Sequence, residues 1–531
     1  MTTLPGFWGL PWPEFRPGQL EAIENLVSAR QAYSLLEANT GLGKSAFPRA
    51  LSTRGRTMVL CNTLNLQRQY RDQLDAKLLY GRANYDCVHP EAYGGQSTAQ
   101  CLVELLPGGM FGCPHIKECL YVLAKQAVQK AQFSSLNYAM FHVSRRWVSA
   151  KPPEFLVLDE CHTLKNQVID WASMIVTTQD IALYHLELPP RVALRPIGGY
   201  ITPAEVGALE EWFDLSIRKV EHRIAKLSDG KPEHAQPLGA AVFFLDRLTT
   251  VRNLLPTLNE HWFVSSGDTG SAARTPGLTL KPYTAQFHFQ KLFDVGSARI
   301  IMQSATVGDF GQFLSELGLT LPEVQTLTVA SEWTAAMQPI YFARKSPGLA
   351  STLNDVTRDF LGAQIPKYIQ SKPSTWSGLI HTVRRDMADS LRRLLIERDP
   401  SLASRLVLPT SVDDFQRQLA RKPNLIAITH LFHTGVDLPN VNMLFVTKIP
   451  FGNLGDPFVA RQCDYDPIGY RAAAARELQQ MLGRTRRGSA SHYDLPGKPS
   501  DKLVVVLDGH LRMVKQYLSP LIQQAIVEPS F

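Results

Sequence analysis

The segment Ala38–Ser45, ANTGLGKS, and the tetrapeptide Asp159–His162, DECH, hold the residue types needed to move a phosphoryl group. Gly41 and Gly43 let backbone N–H groups close round phosphate oxygens at a helix N-terminus, where the helix dipole also favours negative charge. Thr40 lines that loop, Lys44 would neutralise the β and γ phosphates, and Ser45 would ligate Mg2+. Ala38 stands where the strict loop pattern has its first glycine. Asp159 can hold Mg2+ through water, and Glu160 beside it can orient and deprotonate the attacking water. Alone, a DE pair can be a helix N-cap and a glycine-rich segment an ordinary turn. Each of these follows a buried strand, and together they describe a nucleotide-hydrolysing site.

Two further groups carry chemistry. QQMLGRTRRG, residues 479–488, gathers Gln480, Gly483, Arg484, Arg486 and Arg487 near one helix. Arginines there could reach a γ phosphate as fingers, worth roughly 10³ to 10⁵ in rate. A solvated basic helix face is the commoner fate of such a run, and the rest of the site weighs against it. Four of the seven cysteines, Cys87, Cys101, Cys113 and Cys119, crowd between the two phosphate motifs, separated by 13, 11 and 5 residues. A soft thiolate tetrad suits zinc or an iron–sulfur cluster. Structural zinc sites favour CxxC-like knuckles, absent here, so the spacing leans to iron–sulfur while leaving zinc open. FGCPHIKEC (Phe111–Cys119) reads as loop rather than apolar helix, which argues against scattered core thiols. His115 is surplus to four thiolates, and Cys61, Cys161 and Cys463 read as ordinary thiols.

The elements that must position these groups alternate in type. A helix is predicted from Pro17, with Leu20, Ile23, Leu26 and Val27 on one face. Buried strands are predicted at Tyr33–Ala38, Thr57–Cys61, Phe155–Asp159 and Arg299–Thr306, with a helix over Leu64–Leu79. A second α/β unit begins near Thr328, with strands at Gly378–Thr382, Leu425–Thr429, Met443–Thr447 and Leu503–Leu507. Strands ending in polar residues and separated by helices imply parallel sheets with ligands at their carboxyl ends. Two insertions interrupt the pattern: the cysteine stretch near Tyr85–Ala124, and Trp171–Thr275, which reads as mainly helical with a loop at SSGDTGSAARTPG.

At 531 residues the chain calls for three or four domains, and 44% hydrophobic against 19% charged residues describes an ordinary globular protein. A net charge of +7 is compatible with a polyanionic partner without demanding one. The N-terminal residues lack a basic region followed by an apolar one, and no apolar run approaches the roughly 20 residues that span a bilayer. The expectation is a soluble, cytoplasmic protein without a membrane partner, in whose reducing compartment clustered thiols bind metal rather than form disulfides.

With these residues assembled, the chain resembles the XPD/DinG family of superfamily 2 helicases, the iron–sulfur DNA helicases, nearly end to end and in order. FRPGQ (Phe15–Gln19) resembles the adenine-recognising Q-type motif, ANTGLGKS motif I, CNTLNLQRQ (Cys61–Gln69) motif Ia and DECH motif II. QSAT (Gln303–Thr306) resembles motif III, GLIHT (Gly378–Thr382) motif IV, HTGVDLP (His433–Pro439) motif V and QQMLGRTRR motif VI. LNYAMF (Leu136–Phe141) is similar to the segment this family carries after its cluster.

The resemblance implies that Gln19 reads adenine and that Gly435 and Asp437 couple nucleotide to strand, although Thr434 replaces an acidic residue there. It implies that Arg484 and Arg487, on the QxxGRxxR spacing, are the fingers, and that Cys87, Cys101, Cys113 and Cys119 hold a 4Fe–4S cluster. The implied fold is two RecA-like parallel-sheet domains with a cluster insert and a mainly helical arch. Residues 1–84, 125–170 and 276–327 would form the first RecA-like domain, 85–124 the cluster domain, 171–275 the arch and 328–531 the second RecA-like domain. The implied activity is ATP- and Mg2+-dependent unwinding by a monomer that travels 5′ to 3′ on single-stranded or forked DNA, with RNA–DNA hybrids open. Two rival readings are a zinc-stabilised translocase that does not unwind and a non-hydrolysing scaffold. Tyr138, Trp147, Trp171 and Tyr470 are of the type that stacks on bases, though most aromatics in α/β proteins are core.

Overall fold

The computed structural model describes residues 4–38, 42–88, 115–192, 201–228, 234–258, 261–266, 276–296, 298–329, 334–335, 339–343, 345–350, 352–430, 441–483 and 502–528. The first strands are β1 (Tyr33–Ala38), β2 (Thr57–Cys61), β3 (Lys77–Leu79), β4 (Phe133–Asn137) and β5 (Phe155–Asp159). An insertion then supplies β6 (Met174–Thr177), β7 (Trp262–Ser266) and β8 (Pro276–Pro282), before β9 (Arg299–Ser304) and β10 (Val324–Val329) return to the first unit. All adjacent pairs in the first sheet are parallel, in the order β10-β1-β9-β5-β2-β4-β3. β2 and β5 are buried along their whole length, which is why they read as continuous apolar runs rather than alternating ones.

The second unit repeats the plan with β11 (Ile340–Phe342), β12 (Gly378–His381), β13 (Leu406–Val407), β14 (Ile426–Thr429), β15 (Met443–Val446), β16 (Leu503–Val506) and β17 (Ile526–Val527). Its sheet is also parallel throughout, in the order β13-β14-β12-β15-β16-β11-β17. Two seven-stranded parallel sheets flanked by helices are two RecA-like domains. Each sheet buries apolar side chains on both faces, for example Leu35, Leu60 and Met302 on one side of the first and Leu36, Val59 and Ile301 on the other.

Three expectations change. The helix from Leu64 ends at Leu74, because Asp75 turns into the left-handed region (φ 56°), and Lys77–Leu79 become edge strand β3 rather than more helix. The insertion is not simply helical. Its two long helices, Pro203–Leu227 and Ala235–Arg252, pack on an antiparallel sheet in the order β6-β8-β7. That sheet takes in β8, beyond the expected limit at Thr275, and most of the expected loop before β8 lies outside the described residues. Finally, β10 pairs along β1 as far as Val329, so the first sheet closes just after residue 328.

The units meet along two seams. Helix Pro467–Leu482 of the second domain docks on the first, where Arg476 forms a 2.7 Å ion pair with Glu316 and both side chains are buried. Gly308 (φ +79°) lets Tyr517 approach so closely that a Cβ would lie 2.7 Å from the Tyr517 carbonyl oxygen. The neighbouring helix Pro457–Tyr465 packs against the root of the insertion, with Tyr283 stacked on Phe458 and Tyr465 at ring separations of 5.9 and 5.3 Å. No described helix is long and apolar enough to cross a membrane.

Candidate active site

The polar tips of β1, β5 and β9 converge at the carboxyl edge of the first sheet, since these three strands are adjacent there. Asn39, Thr40 and Gly41 lie outside the described residues; Leu42 to Ser45 lead into helix Ala46–Leu51, with Ser45 at its N-cap. Gly43 adopts φ +70°, and a Cβ there would come within 2.9 Å of the Gln19 amide, so both backbone and space require glycine. Lys44 reaches across to Glu160 at 3.6 Å, joining the two phosphate motifs.

Glu160 sits in the left-handed region (φ 52°) at the turn after β5. Its carboxylate faces Ser304 and His162, each at 3.4 Å, and those two side chains meet each other at 2.9 Å. Burial pushes the Glu160 carboxyl up, but Lys44 and His162 outweigh it and hold it below the usual carboxylate range. For Asp159, burial and the neighbouring Glu160 charge win, and its carboxyl is raised. Asp159 is clamped: Tyr70 donates its phenol proton to Oδ2 at 2.9 Å, while Gln303 and the Glu160 N–H donate to Oδ1 at 3.0 Å each. Tyr138 donates to the Asp159 main-chain oxygen at 2.9 Å. A one-carboxylate, one-hydroxyl pair from Asp159 and Ser45 is the hard oxygen set Mg2+ takes alongside nucleotide phosphates.

The second domain contributes from helix Pro467–Leu482. Gln480 hydrogen-bonds Thr306 and lies 3.4 Å from both ring nitrogens of His162, while Gln479 donates to the Ala305 main-chain oxygen at 3.5 Å. The helix end therefore touches both DECH and QSAT. Arg484 and Arg487 beyond it, like Gly435 and Asp437, lie outside the described residues.

Gln19 is buried beside the phosphate loop. Its amide oxygen accepts from the Arg16 N–H at 2.7 Å and its NH2 group donates to the Leu42 carbonyl, in a buried position. The NH2 group thereby braces the phosphate loop at Leu42, while the oxygen holds the turn that precedes its own helix. Among the aromatics, Tyr138 is buried beneath the site, Tyr470 bonds the Gly452 carbonyl and stacks on Phe451, and Trp147 and Trp171 pack against the first core.

Sequence reasoning missed Glu37, buried at the end of β1, where it accepts from the Val307 and Gly308 N–H groups at 3.0 and 3.3 Å. Burial pushes its carboxyl up to about 7 against the pull of those amides. Folded Glu37 thus keeps a proton that the unfolded chain releases above its ordinary value of 4.5. Stability falls as pH rises from there to about 7, by roughly 3 kcal/mol in all, and the loss is constant above that. Glu37→Gln keeps an acceptor for both amides and removes the charge. Its melting temperature relative to wild type should rise between pH 5 and pH 8; a pH-independent gap would show an ordinary carboxyl.

Of the four clustered cysteines, Cys101 and Cys113 lie outside the described residues. Cys87 and Cys119 are free of disulfides and partly exposed, and they bracket the segment that carries the other two. Among the described residues no group of three or more His, Cys, Asp or Glu side chains is placed to hold a metal ion.

No protein-family model matches the chain, and no curated protein matches it. Solved structures do. One described as an XPD helicase is 15% identical, with 97% of this chain and 98% of that one covered at a TM-score of 0.57. The Xpd4 structure from S. tokodaii is 13% identical, with 97% and 99% covered at a TM-score of 0.54. Over nearly its whole length, the chain has the fold of the XPD helicases.

Proposed function

We propose that this chain is an ATP-dependent DNA helicase that tracks 5′ to 3′ along single-stranded DNA and separates duplex at a gate between the cysteine segment and the insertion. The observation that carries the reading is the convergence of Lys44, Glu160, His162 and Ser304 on the first sheet with Gln480 from the second domain. That arrangement supports a phosphoryl-transfer site between two bodies, a position from which hydrolysis would drive relative movement. The DNA substrate and direction are those the sequence resemblance implies. The same resemblance supplies the division into a discontinuous first domain, a cluster domain, an arch and a second domain.

In this reading Lys44 leaves Glu160 for the β and γ phosphates, and the freed Glu160 carboxylate accepts the proton of the attacking water. Ser45 and Asp159 would hold Mg2+, which supplies charge neutralisation across the β and γ phosphates. Arg484 and Arg487 would complete the site from the second domain as ATP closes the cleft. Gln480 would report closure to His162 and Thr306, and so to the turn carrying Glu160. Cys87, Cys101, Cys113 and Cys119 would hold a 4Fe–4S cluster that crosslinks the intervening segment into a rigid body beside the strand.

The test is unwinding of forked DNA and of RNA–DNA hybrids with tails of either polarity, by protein purified without oxygen. Strand-stimulated ATPase with 5′-tailed unwinding and stoichiometric iron and sulfide is the expected result. Zinc in place of iron, or translocation without strand separation, would overturn the gate.

A further inference from the structure

We propose that Tyr70 is a positioning residue for the Asp159 carboxylate, restricting it to a single free acceptor direction toward the metal that accompanies the nucleotide. The proposal rests on the nucleotide-hydrolysing reading above and adds a residue that no phosphate motif contains. Tyr70 lies on helix Leu64–Leu74, well before DECH in sequence, and its side chain is almost completely buried.

An ionised carboxylate offers about four lone-pair directions. Among the described residues, Oδ1 of Asp159 accepts from the Gln303 amide and the Glu160 N–H, and Oδ2 accepts from the Tyr70 phenol. Among the described residues one direction remains, on Oδ2. Gln303 also donates to the Tyr70 oxygen at 3.3 Å, which fixes the phenol as donor to Asp159 rather than acceptor from it. Mg2+ demands near-octahedral geometry and dehydrates reluctantly, so a carboxylate held to one acceptor direction is better matched to it than one that can swivel. Partners of this kind, outside the ligands themselves, commonly govern 10- to 100-fold of metal affinity or activity.

Tyr138 provides the control. It is equally buried, and its phenol also donates to Asp159, but to the main-chain oxygen rather than the carboxylate. Tyr70→Phe and Tyr138→Phe each remove one buried phenol hydroxyl, yet only the first changes the carboxylate.

The experiment uses the full chain. Mn2+ is titrated by electron paramagnetic resonance in the presence of ADP, with ADP binding in EDTA, thermal melts and the Mg2+ dependence of ATP turnover measured alongside. Tyr70→Phe should weaken Mn2+ binding about 10-fold or more and raise the Mg2+ half-saturation for turnover in parallel, with metal-free ADP binding unchanged. Tyr138→Phe should lower the melting temperature by a similar amount and leave both metal constants at wild type. Wild-type metal binding in Tyr70→Phe, or equal losses in both variants, would overturn the proposal, the second by showing general loosening. A wild-type chain that binds no Mn2+ with ADP would instead overturn the nucleotide-site reading beneath it.

Discussion

Lys44→Ala is expected to abolish ATP turnover, lowering kcat by at least about 10²- to 10³-fold, the cost of removing one preorganised charge from a transition state. Lys44 is largely buried and spans from the phosphate loop to Glu160 at 3.6 Å. Its ammonium lies between the motif that would cradle phosphates and the carboxylate that would take the water's proton, and no other described cation pairs with Glu160 except through His162. Without it the proposed site would lose neutralisation of the γ phosphate, and the Glu160 carboxyl would move up toward its usual range. Single-strand binding should survive. It depends on many phosphate contacts, the chain has 55 lysines and arginines, and losing one changes the salt slope by about one at most. Steady-state ATPase with and without oligonucleotide, beside filter binding across a salt series, separates the two effects. Wild-type turnover in this variant would remove Lys44 from the site.

Arg476→Ala costs about 3–5 kcal/mol, because it leaves Glu316 charged and unpaired in a buried seam. The guanidinium also lies 5.9 Å from the Phe313 ring, so packing is lost as well as charge. The loss should appear as undocking of the two domains, read as earlier proteolysis between them and a lower denaturation midpoint. Replacing both partners with apolar residues, Arg476→Met with Glu316→Leu, should recover most of the stability, since a buried pair offsets little more than its own desolvation. If the double change is as unstable as the single one, the pair contributes more than charge cancellation.

Much of this was legible in the sequence because parallel strands buried on both faces announce themselves as continuous apolar runs. Tyr33–Ala38, Thr57–Cys61 and Phe155–Asp159 match the observed strands residue for residue. Short edge strands were not legible: Lys77–Leu79, Leu406–Val407 and Ile526–Val527 are too brief to show a period. Nor was the antiparallel sheet of the insertion, whose first strand is separated from the other two by long helices and acquires its partner only on folding. Within the site, Lys44 and the DECH acids declare themselves through local motifs. Tyr70, Gln303 and Glu37 act across sequence separations of 89, 144 and 270 residues, which no local pattern encodes.

The strand order carries a consequence for how the chain is made. β9 lies between β1 and β5, yet it is synthesised after the whole insertion. A nascent chain that has just emerged through β8 therefore has β1 and β5 with no strand between them, each exposing an unpaired apolar edge. The first domain cannot close on the ribosome until Arg299–Ser304 has cleared the exit tunnel, and β10 must follow to cover the outer edge of β1. Any fragment ending inside the insertion is thus an open sheet prone to aggregation, and a stable piece of the first domain must run at least to Val329.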